Sequence, residues 1–251
     1  MTMQDSALSG RVAVVAGGSG GIGEATCRQM AEAGAKVVVG YRSNKTGADA
    51  ILAELAGEGH IALPLSIEDS LSIETFRDAV LEAFGRVDIL VNTAGVTKPV
   101  AHGDLDGLTD EIIDMVFVNN FRGVFATIRA FAPALKASGD GLIVNVSSIA
   151  AFKGFGSSIA YCGAKAALDA MTHSLAIALG PEIRVMSVSP GVVDTQFVPG
   201  RTREFSEKAA AATPLKKVTE GADVARAIMA CATHLSHSTG TRIVVDSGRS
   251  L

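Results

Sequence analysis

The chain has 251 residues, of which 48% are hydrophobic, and this is enough to form one large α/β domain with a sizeable core. The net charge is −4 at pH 7 and the basic residues are scattered, so neither nucleic acid nor an anionic membrane surface is an expected partner. The three cysteines lack metal-ligand spacing and fit buried free thiols, and the sequence shows neither a secretion signal nor a membrane helix of roughly 18 apolar residues, so we expect a cytoplasmic protein without a structural metal.

Short β-branched runs alternate along the chain with segments of helical length. Strands that are apolar on both faces and alternate with helices predict a parallel sheet covered on both sides, a doubly wound Rossmann-type α/β fold of about seven strands. The chain has no linker-like segment and no further repeat, so we expect residues 1–251 to form one domain. The predicted strands are RVAVVAG, AKVVVG, HIALPL, VDILVN, GLIVNVSS, IRVMSVS and TRIVVD, and the predicted helices include 22–33, 70–84, 109–136, 158–179 and 220–235.

The first predicted strand runs into a glycine-rich turn, in the stretch VAVVAGGSGGIGEAT. Because glycine adopts positive φ and has no Cβ, such a turn brings backbone amides to a pyrophosphate at the positive end of the next helix. The spacing Gly17-x-x-x-Gly21-Ile22-Gly23 resembles the short-chain dehydrogenase/reductase family, with Ala16 in place of the usual Thr that orders the turn. The predicted cofactor-binding residues of this turn are Gly17, Ser19, Gly20, Gly21, Ile22 and Gly23.

The end of the second strand, VVVGYRSNKTG, indicates which dinucleotide is preferred. An acid about 20 residues past the glycines usually accepts hydrogen bonds from the ribose hydroxyls of NAD, and Tyr41 takes that position here. Arg42 and Ser43 follow, and an Arg fork beside a hydroxyl suits a phosphate dianion. We therefore predict NADP(H) over NAD(H), bound by Tyr41, Arg42 and Ser43, with a solvated surface Arg42 as the alternative.

Two stretches farther along also resemble the family's cofactor site. NTAG, residues 92–95, is similar to the family's N-N-A-G turn after the fourth strand, which implies that Asn92 ties strands together and that the Ala94-Gly95 backbone passes close to the cofactor. SPGVVDT, residues 189–195, is similar to the P-G-x-V-x-T stretch that lies near the nicotinamide. The cofactor contacts implied by these two stretches are Asn92, Ala94, Gly95, Pro190, Gly191, Val193 and Thr195.

Tyr161 and Lys165 lie four residues apart in the predicted helix 158–179, so they project from the same face. An ammonium near a phenol favours the phenolate, and a cationic nicotinamide acts in the same direction. We therefore predict that the pKa of Tyr161 is lowered and that Tyr161 is a general acid/base, with both residues also touching the cofactor. A chance pair, with the lysine stem lying over the ring, is the alternative.

The family resemblance adds two catalytic residues. Ser148, at the end of GLIVNVSS, matches the position of the family's catalytic Ser, whose hydroxyl binds the substrate carbonyl beside the phenol. Ser147 is the competitor, but strand alternation points it to the opposite side. Asn119 in DMVFVNNFRGVF matches the family's helix-borne Asn, which holds a water linked to the lysine, whereas Asn120 is expected to be a solvated neighbour.

The segment after the sixth strand is expected to close over the substrate. Residues 196–215 interrupt the β-α alternation with a charged patch, and we predict a mobile loop with a short helix. The substrate-binding residues predicted in and around this loop are Ser148, Phe155, Tyr161, Val192 and Phe197, with Phe152 as a further apolar candidate and Arg201 and Arg203 as candidates for an anionic group.

These features together predict an oxidoreductase that transfers hydride between NADP(H) and a carbonyl or secondary alcohol. The substrate classes left open are small ketones, sugars, steroids and 3-oxoacyl groups; Pro181 and Glu182 stand where reductases of acyl carrier protein substrates commonly carry a basic residue, which weakens the last class. A non-catalytic dinucleotide sensor or scaffold on the same fold is the alternative. The long, apolar helices 109–136 and 158–179 predict a homodimer or homotetramer.

Overall fold

A seven-stranded, all-parallel sheet forms the centre of the molecule in the computed structural model, which describes residues 7–251. The strand order is β3-β2-β1-β4-β5-β6-β7, so the predicted doubly wound fold is confirmed. Each predicted run supplies one strand: β1 Val12–Ala16, β2 Lys36–Tyr41, β3 Ile61–Pro64, β4 Ile89–Asn92, β5 Gly141–Val146, β6 Ile183–Pro190 and β7 Arg242–Val245.

Helices cover both faces of the sheet, and three of the described elements were not predicted. Helices α2 and α6 were not foreseen, and the predicted helix 109–136 divides into α4 and α5 around a π-helical turn at Val118–Arg122. The α-helices are α1 Gly21–Glu32, α2 Lys45–Glu54, α3 Ser70–Phe84, α4 Asp110–Phe117, α5 Gly123–Ala137, α6 Ala150–Lys153, α7 Ile159–Leu179, α8 Arg203–Ala211 and α9 Gly221–Thr233.

Two apolar cores lie on opposite faces of the sheet. One contains buried side chains of α1, α2 and α9, including Cys27 and Cys231. The other contains side chains of α3, α5 and α7, with Phe76 and Phe131 packed edge to face at 5.9 Å. All three cysteines are buried free thiols, as predicted.

The last strand departs from the predicted pattern of strands buried on both faces. Residues of β7 alternate between exposed and half-buried, because β7 is the edge of the sheet and is paired only with β6. Within residues 7–251, none of the helices is both long and apolar enough to span a membrane.

The order of the strands reverses direction between β1 and β4. Loops that leave these two strands at their carboxyl ends therefore turn to opposite sides and open a crevice. The loops after β2, β5 and β6 continue the crevice, and the predicted cofactor and catalytic motifs lie along it.

Candidate active site

The crevice at the carboxyl ends of the strands contains a cavity of about 540 Å³. Most of the predicted site residues line it, although they come from segments that are far apart in the chain. The predicted residues that line it are Gly17, Ser19, Gly20, Gly21, Ile22, Gly23, Arg42, Ser43, Ala94, Gly95, Asn119, Ser148, Phe155, Tyr161, Lys165, Pro190, Gly191, Val192, Val193, Thr195 and Phe197.

The glycine-rich turn has the geometry of an anion cradle. Gly17 has a φ of +87°, and a Cβ there would lie only 2.7 Å from the backbone nitrogen of Ala94. A Cβ on Gly23 would collide with the carbonyl oxygen of Gly17. Helix α1 has no side-chain cap, so the backbone amides of its first turn face the cavity without an intramolecular side-chain partner.

Thr93 compensates for the missing threonine at position 16. Its hydroxyl Oγ1 donates a 2.8 Å hydrogen bond to the backbone oxygen of Ala16, which joins the turn after β4 to the end of β1. The backbone amides of Thr93 and Ala94 donate to the same oxygen. The turn is therefore ordered from the neighbouring strand.

Two residues predicted to bind the cofactor do not line the cavity. Tyr41 is only 8% exposed, because β2 turns its ring into the core that also holds α1 and α2. Asn92 is buried and donates to Oδ1 of Asn145 at 2.9 Å, while Asn145 donates to Oγ1 of Thr172 at 3.0 Å. Asn92 therefore ties strands together, as the resemblance implied, but its side chain is unavailable to a ligand.

The end of β2 presents a basic side chain to one end of the cavity. Arg42 is exposed, and its nearest carboxylate is Glu68, with Nη1 4.0 Å from Oε2. Ser43 and Asn44 line the same end, and Asn44 caps α2 by accepting from the amide of Gly47. A basic fork therefore lies beside a hydroxyl, directly after the position where NAD-binding proteins usually carry an acid.

Ser148, Tyr161 and Lys165 meet at the middle of the cavity. Ser158 caps α7 by accepting from the amide of Tyr161 at 3.2 Å, which sets Tyr161 in the first turn of the helix. One turn later, Lys165 Nζ donates to the carbonyl oxygen of Val146 at 2.8 Å and lies 5.8 Å from the centre of the Tyr161 ring. The Ser148 hydroxyl lies close enough to the phenol to lower its pKa.

Ser147 points away from the phenol, as strand alternation predicted. Its hydroxyl donates to the backbone oxygen of Lys165 and is buried. Ser147 therefore holds α7 against the end of β5, and Ser148 is the hydroxyl that faces Tyr161.

The prediction that the pKa of Tyr161 is lowered is wrong for this structure. Burial raises the pKa of Tyr161 to about 12, and the opposing effects of Ser148 and the positive charge of Arg201 are smaller. Burial also lowers the pKa of Lys165 to about 8, against the effect of the Asp169 carboxylate. The reason is that desolvation penalises both charged forms, while Lys165 Nζ is hydrogen bonded to a backbone carbonyl rather than to the phenol.

The two asparagines of the π-helical turn have different surroundings, and Asn120 differs from the expectation. Asn119 lines the cavity, but its amide donates to the oxygen of Met115 in the preceding helical turn. Asn120 was expected to be solvated and is instead fully buried. Its amide donates to the oxygen of Val96 at 2.8 Å and its Oδ1 accepts from the Val96 amide at 3.3 Å.

Asn120 also lies beside the catalytic candidates. A Cβ placed on Gly95 would be 2.6 Å from Oδ1 of Asn120 and 3.9 Å from Nζ of Lys165, so both side chains flank this glycine. The wide turn directs Asn120 into the interior, which helical spacing alone did not indicate.

Aromatic side chains form the wall on the far side of Tyr161. The ring of Phe197 lies 6.0 Å from the ring of Tyr161, and Phe155 packs against His102 at 4.9 Å. Phe152 does not line the cavity; its ring lies under the guanidinium of Arg242 at 4.3 Å.

The basic side chains of this wall are Arg201 and Arg249. Arg201 was a candidate for anion binding from the sequence, whereas Arg249 near the end of the chain was missed because no local motif marks it. Arg203 is directed elsewhere and forms ion pairs with Asp194, Glu207 and Glu220.

The chain resembles known oxidoreductases over nearly its whole length. The profile of a protein family described as enoyl-(acyl carrier protein) reductase matches residues 16–250. The chain is 35% identical over 246 residues to cis-4-hydroxycyclohexanecarboxylate dehydrogenase of Sinomonas cyclohexanicum, which covers 96% of this chain and 97% of that protein. It is 32% identical over 245 residues to a 3-oxoacyl-[acyl-carrier-protein] reductase of Thermotoga maritima, covering 96% and 98% of the two chains.

A solved structure agrees in fold. The crystal structure of 3-ketoacyl-(acyl-carrier-protein) reductase from Brucella melitensis complexed with NADH superposes with a TM-score of 0.87. The two sequences are 31% identical, and the match covers 97% of this chain and 100% of that one.

Proposed function

This chain belongs to the short-chain dehydrogenase/reductase family of oxidoreductases, and we propose that it transfers hydride between NADP(H) and a carbonyl compound or secondary alcohol, with Tyr161 as the general acid/base. One observation carries the proposal. A hydroxyl, a phenol and an ammonium, from Ser148, Tyr161 and Lys165, converge in a cavity whose other end is a glycine-rich anion cradle. The glycine-rich end suits the pyrophosphate of a nicotinamide dinucleotide, and the hydroxyl, phenol and ammonium suit a carbonyl substrate that must be oriented and protonated.

The residues at the glycine turn fit a dinucleotide. The close approach of Gly17 to Ala94 and of Gly23 to Gly17 keeps the turn tight, and the uncapped first turn of α1 offers amides to a pyrophosphate. The backbone of Gly95 and the Val193 amide and Thr195 hydroxyl would hold the nicotinamide end. The dinucleotide, when bound, supplies or accepts the hydride.

The protein's part in the chemistry is to position the carbonyl and to move one proton. In the reduction, the Ser148 hydroxyl would donate a hydrogen bond to the carbonyl oxygen while Tyr161 gives that oxygen a proton. The high pKa of the partly buried phenol suits this direction, because Tyr161 is then protonated at neutral pH. In the oxidation Tyr161 must first lose its proton, and positive charge on Lys165 and Arg201 favours that step.

We propose Asn120, rather than Asn119, as the asparagine that supports Lys165. Asn120 is buried, flanks Gly95 together with Lys165 and clamps both backbone groups of Val96. Asn119 is a wall residue of the same cavity with its amide used inside its own helix. Asn120 would therefore act as a positioning residue, whereas substitution of Asn119 would disturb the site less.

The preference for NADP(H) is supported by the end of β2. Arg42 and Ser43 line the cavity there, and no Asp or Glu lines any part of the cavity in residues 7–251. An arginine fork beside a hydroxyl and the start of α2 suits a phosphate dianion, whereas the ribose hydroxyls of NAD are usually held by an acid.

The test is turnover of a panel of ketones, 3-oxoacyl thioesters, sugars and steroids, followed by the absorbance of the reduced nicotinamide with NADPH and with NADH. We expect turnover of at least one carbonyl class, faster with NADPH. Dinucleotide binding by calorimetry without turnover of any class would instead favour a non-catalytic sensor, and this result would refute the proposal.

A further inference from the structure

The side chains that line the cavity include cations but no acid in residues 7–251. Four basic side chains line it, from Arg42, Lys165, Arg201 and Arg249, and no carboxylate does so in the part of the chain that the structure describes. Arg42 lies at the end assigned to the dinucleotide phosphate and Lys165 beneath the phenol. Arg201 and Arg249 have no role in binding the dinucleotide phosphate or in supporting the phenol.

Arg201 lines the cavity near the phenol of Tyr161. Its guanidinium carbon lies 4.8 Å above the centre of the Phe205 ring, so the side chain is supported from below. It is close enough to Tyr161 for its charge to lower the pKa of the phenol. Among residues 7–251, no carboxylate lies within ion-pair distance of it, although it is half-buried.

Arg249 reaches the same wall from the end of the chain. Its Nη1 donates to the backbone oxygen of Ala209 at 3.2 Å, and its amide donates to the oxygen of Asp246 at 3.0 Å. Arg201 and Arg249 both line the cavity. Burial lowers the pKa of Arg201; the charge of Tyr161 acts in the opposite direction, and the like charge of Arg249 lowers the pKa further. Helix α8 supports both side chains, through Phe205 and Ala209.

The lack of a carboxylate partner is not caused by a lack of acids nearby. Asp194, Glu207 and Glu220 lie around the start of α8, and all three pair with Arg203, which does not line the cavity. Two like charges that share a partly desolvated wall repel each other, and an oxyanion between them would relieve that repulsion. Guanidinium groups are also the side chains best suited to bind such a group through paired hydrogen bonds.

We infer that the substrate is an anionic carbonyl compound whose carboxylate or phosphate is bound by Arg201 and Arg249 while its carbonyl oxygen faces Ser148 and Tyr161. The inference rests on the proposed function and narrows its substrate class. In the reduction, the carbonyl carbon gains the hydride of NADPH and the oxygen gains the proton of Tyr161, so the product is a hydroxy acid or hydroxy phosphate with its anionic group unchanged.

The first test compares matched pairs of charged and neutral substrates. The pairs are 4-oxopentanoate, 5-oxohexanoate and 4-oxocyclohexanecarboxylate with their methyl esters, and dihydroxyacetone phosphate with dihydroxyacetone. We expect kcat/KM for at least one anion to exceed that of its neutral partner tenfold or more. The Arg201→Gln and Arg249→Gln substitutions should each reduce this ratio at least tenfold, chiefly through KM.

Lys208→Gln is the matched control. Lys208 is an exposed cation of the same helix α8 and does not line the cavity, so its removal changes the net charge equally and should leave the ratio unchanged. An equal loss in Lys208→Gln would mean that general electrostatic attraction, and not a site, explains the preference, and this would overturn the inference. The three pairs of carboxylate and ester and the pair of phosphate and alcohol show whether the site prefers a carboxylate or a phosphate.

The second test measures binding without turnover. Calorimetric titration of the NADP-loaded protein with cyclohexanecarboxylate and with cyclohexanecarboxamide should show binding of the acid alone, weakened tenfold or more in Arg201→Gln. Turnover of neutral and anionic substrates at equal kcat/KM would overturn the inference and leave the proposed function standing. If no carbonyl is reduced, the proposed function fails and the titration still decides whether the arginines bind an anion. If Arg201→Gln weakens the binding of NADP as much as the binding of cyclohexanecarboxylate, Arg201 binds the dinucleotide instead, and this result would also overturn the inference.

Discussion

Replacement of Tyr161 by phenylalanine removes a single oxygen atom from the centre of the cavity. The ring would keep its place against Phe197, and the backbone amide would keep its hydrogen bond to Ser158. Because the phenolic oxygen faces the cavity and Ser148, the free energy of unfolding should change by less than about 1 kcal/mol.

The expected effect on catalysis is much larger. A positioned general acid typically contributes about 10² to 10⁴ in rate, which corresponds to about 2.7 to 5.5 kcal/mol of the barrier. At neutral pH the phenol is protonated because burial raises its pKa to about 12, so the loss should be measured in the direction of carbonyl reduction. The assay is kcat/KM from the absorbance of NADPH, together with NADPH affinity by calorimetry, which should remain near that of the parent.

The chain offers a matched control for this substitution. Tyr41 is the other of the two tyrosines in the sequence, is buried in the core and does not line the cavity. Tyr41→Phe should therefore leave kcat/KM nearly unchanged. Activity of Tyr161→Phe within tenfold of the parent, with Tyr41→Phe equally active, would refute the assignment of Tyr161 as the proton donor.

Four further outcomes are expected. Arg42→Ala should weaken NADPH binding by about 1.5 to 3 kcal/mol and NADH binding much less, as measured by calorimetry, because a charge-assisted hydrogen bond is lost. Arg77→Ala is the control, since Arg77 is a half-buried arginine of α3 that does not line the cavity, and a parent that prefers NADH would contradict the assignment. Because burial lowers the pKa of Lys165 from 10.5 to about 8, the unfolded chain binds more protons between these values, so the free energy of unfolding should rise by about 2 kcal/mol from pH 8 to pH 10. Denaturant titrations should show this rise in the parent and not in Lys165→Met, and the same slope in both proteins would count against it. Segment 196–215 should exchange its amide hydrogens quickly in the ligand-free protein and slowly with NADP and a substrate analogue, and equal strong protection in both states would indicate a rigid insert. Light scattering at micromolar concentration should give a dimer or tetramer, because α4, α5 and α7 expose apolar side chains such as Ile177, which is 85% exposed; a monomer alone would contradict this.

The fold and the two ends of the site could be predicted because their signals are local in the sequence. A strand that is buried on both faces is a short run of β-branched residues, and each predicted run forms a strand. The glycine spacing from Gly17 to Gly23 follows from backbone crowding within one turn. The spacing of Tyr161 and Lys165 follows from the pitch of one helix.

Features that depend on the surroundings of a side chain were not predictable in this way. Tyr41 has the sequence position of a cofactor ligand, but the packing of α1 and α2 against β2 encloses its ring. Asn120 lies next to Asn119 in the sequence, and only the π-helical turn decides which of the two enters the interior.

The direction of the pKa shift of Tyr161 was also decided by the tertiary structure. The sequence gives the distance along the helix to Lys165, which favours a lowered pKa, but it does not give the loss of water around the ring or the hydrogen bond from Lys165 to Val146. Desolvation depends on every element that packs around the group, and here it exceeds the effect of a nearby charge.

The sequence by itself determined the sheet, its covering helices, the glycine cradle and the Ser148, Tyr161 and Lys165 constellation, since each rests on residues close together in the chain or on a resemblance carried by short motifs. Only the tertiary structure decided which residues from distant parts of the chain lie beside these groups in the cavity. Thr93 supplies the hydrogen bond that Ala16 lacks, and Arg249 joins Arg201 from near the end of the chain. Such contacts join segments distant in sequence, and their energy depends on burial and on neighbouring charge, which only the folded chain brings together.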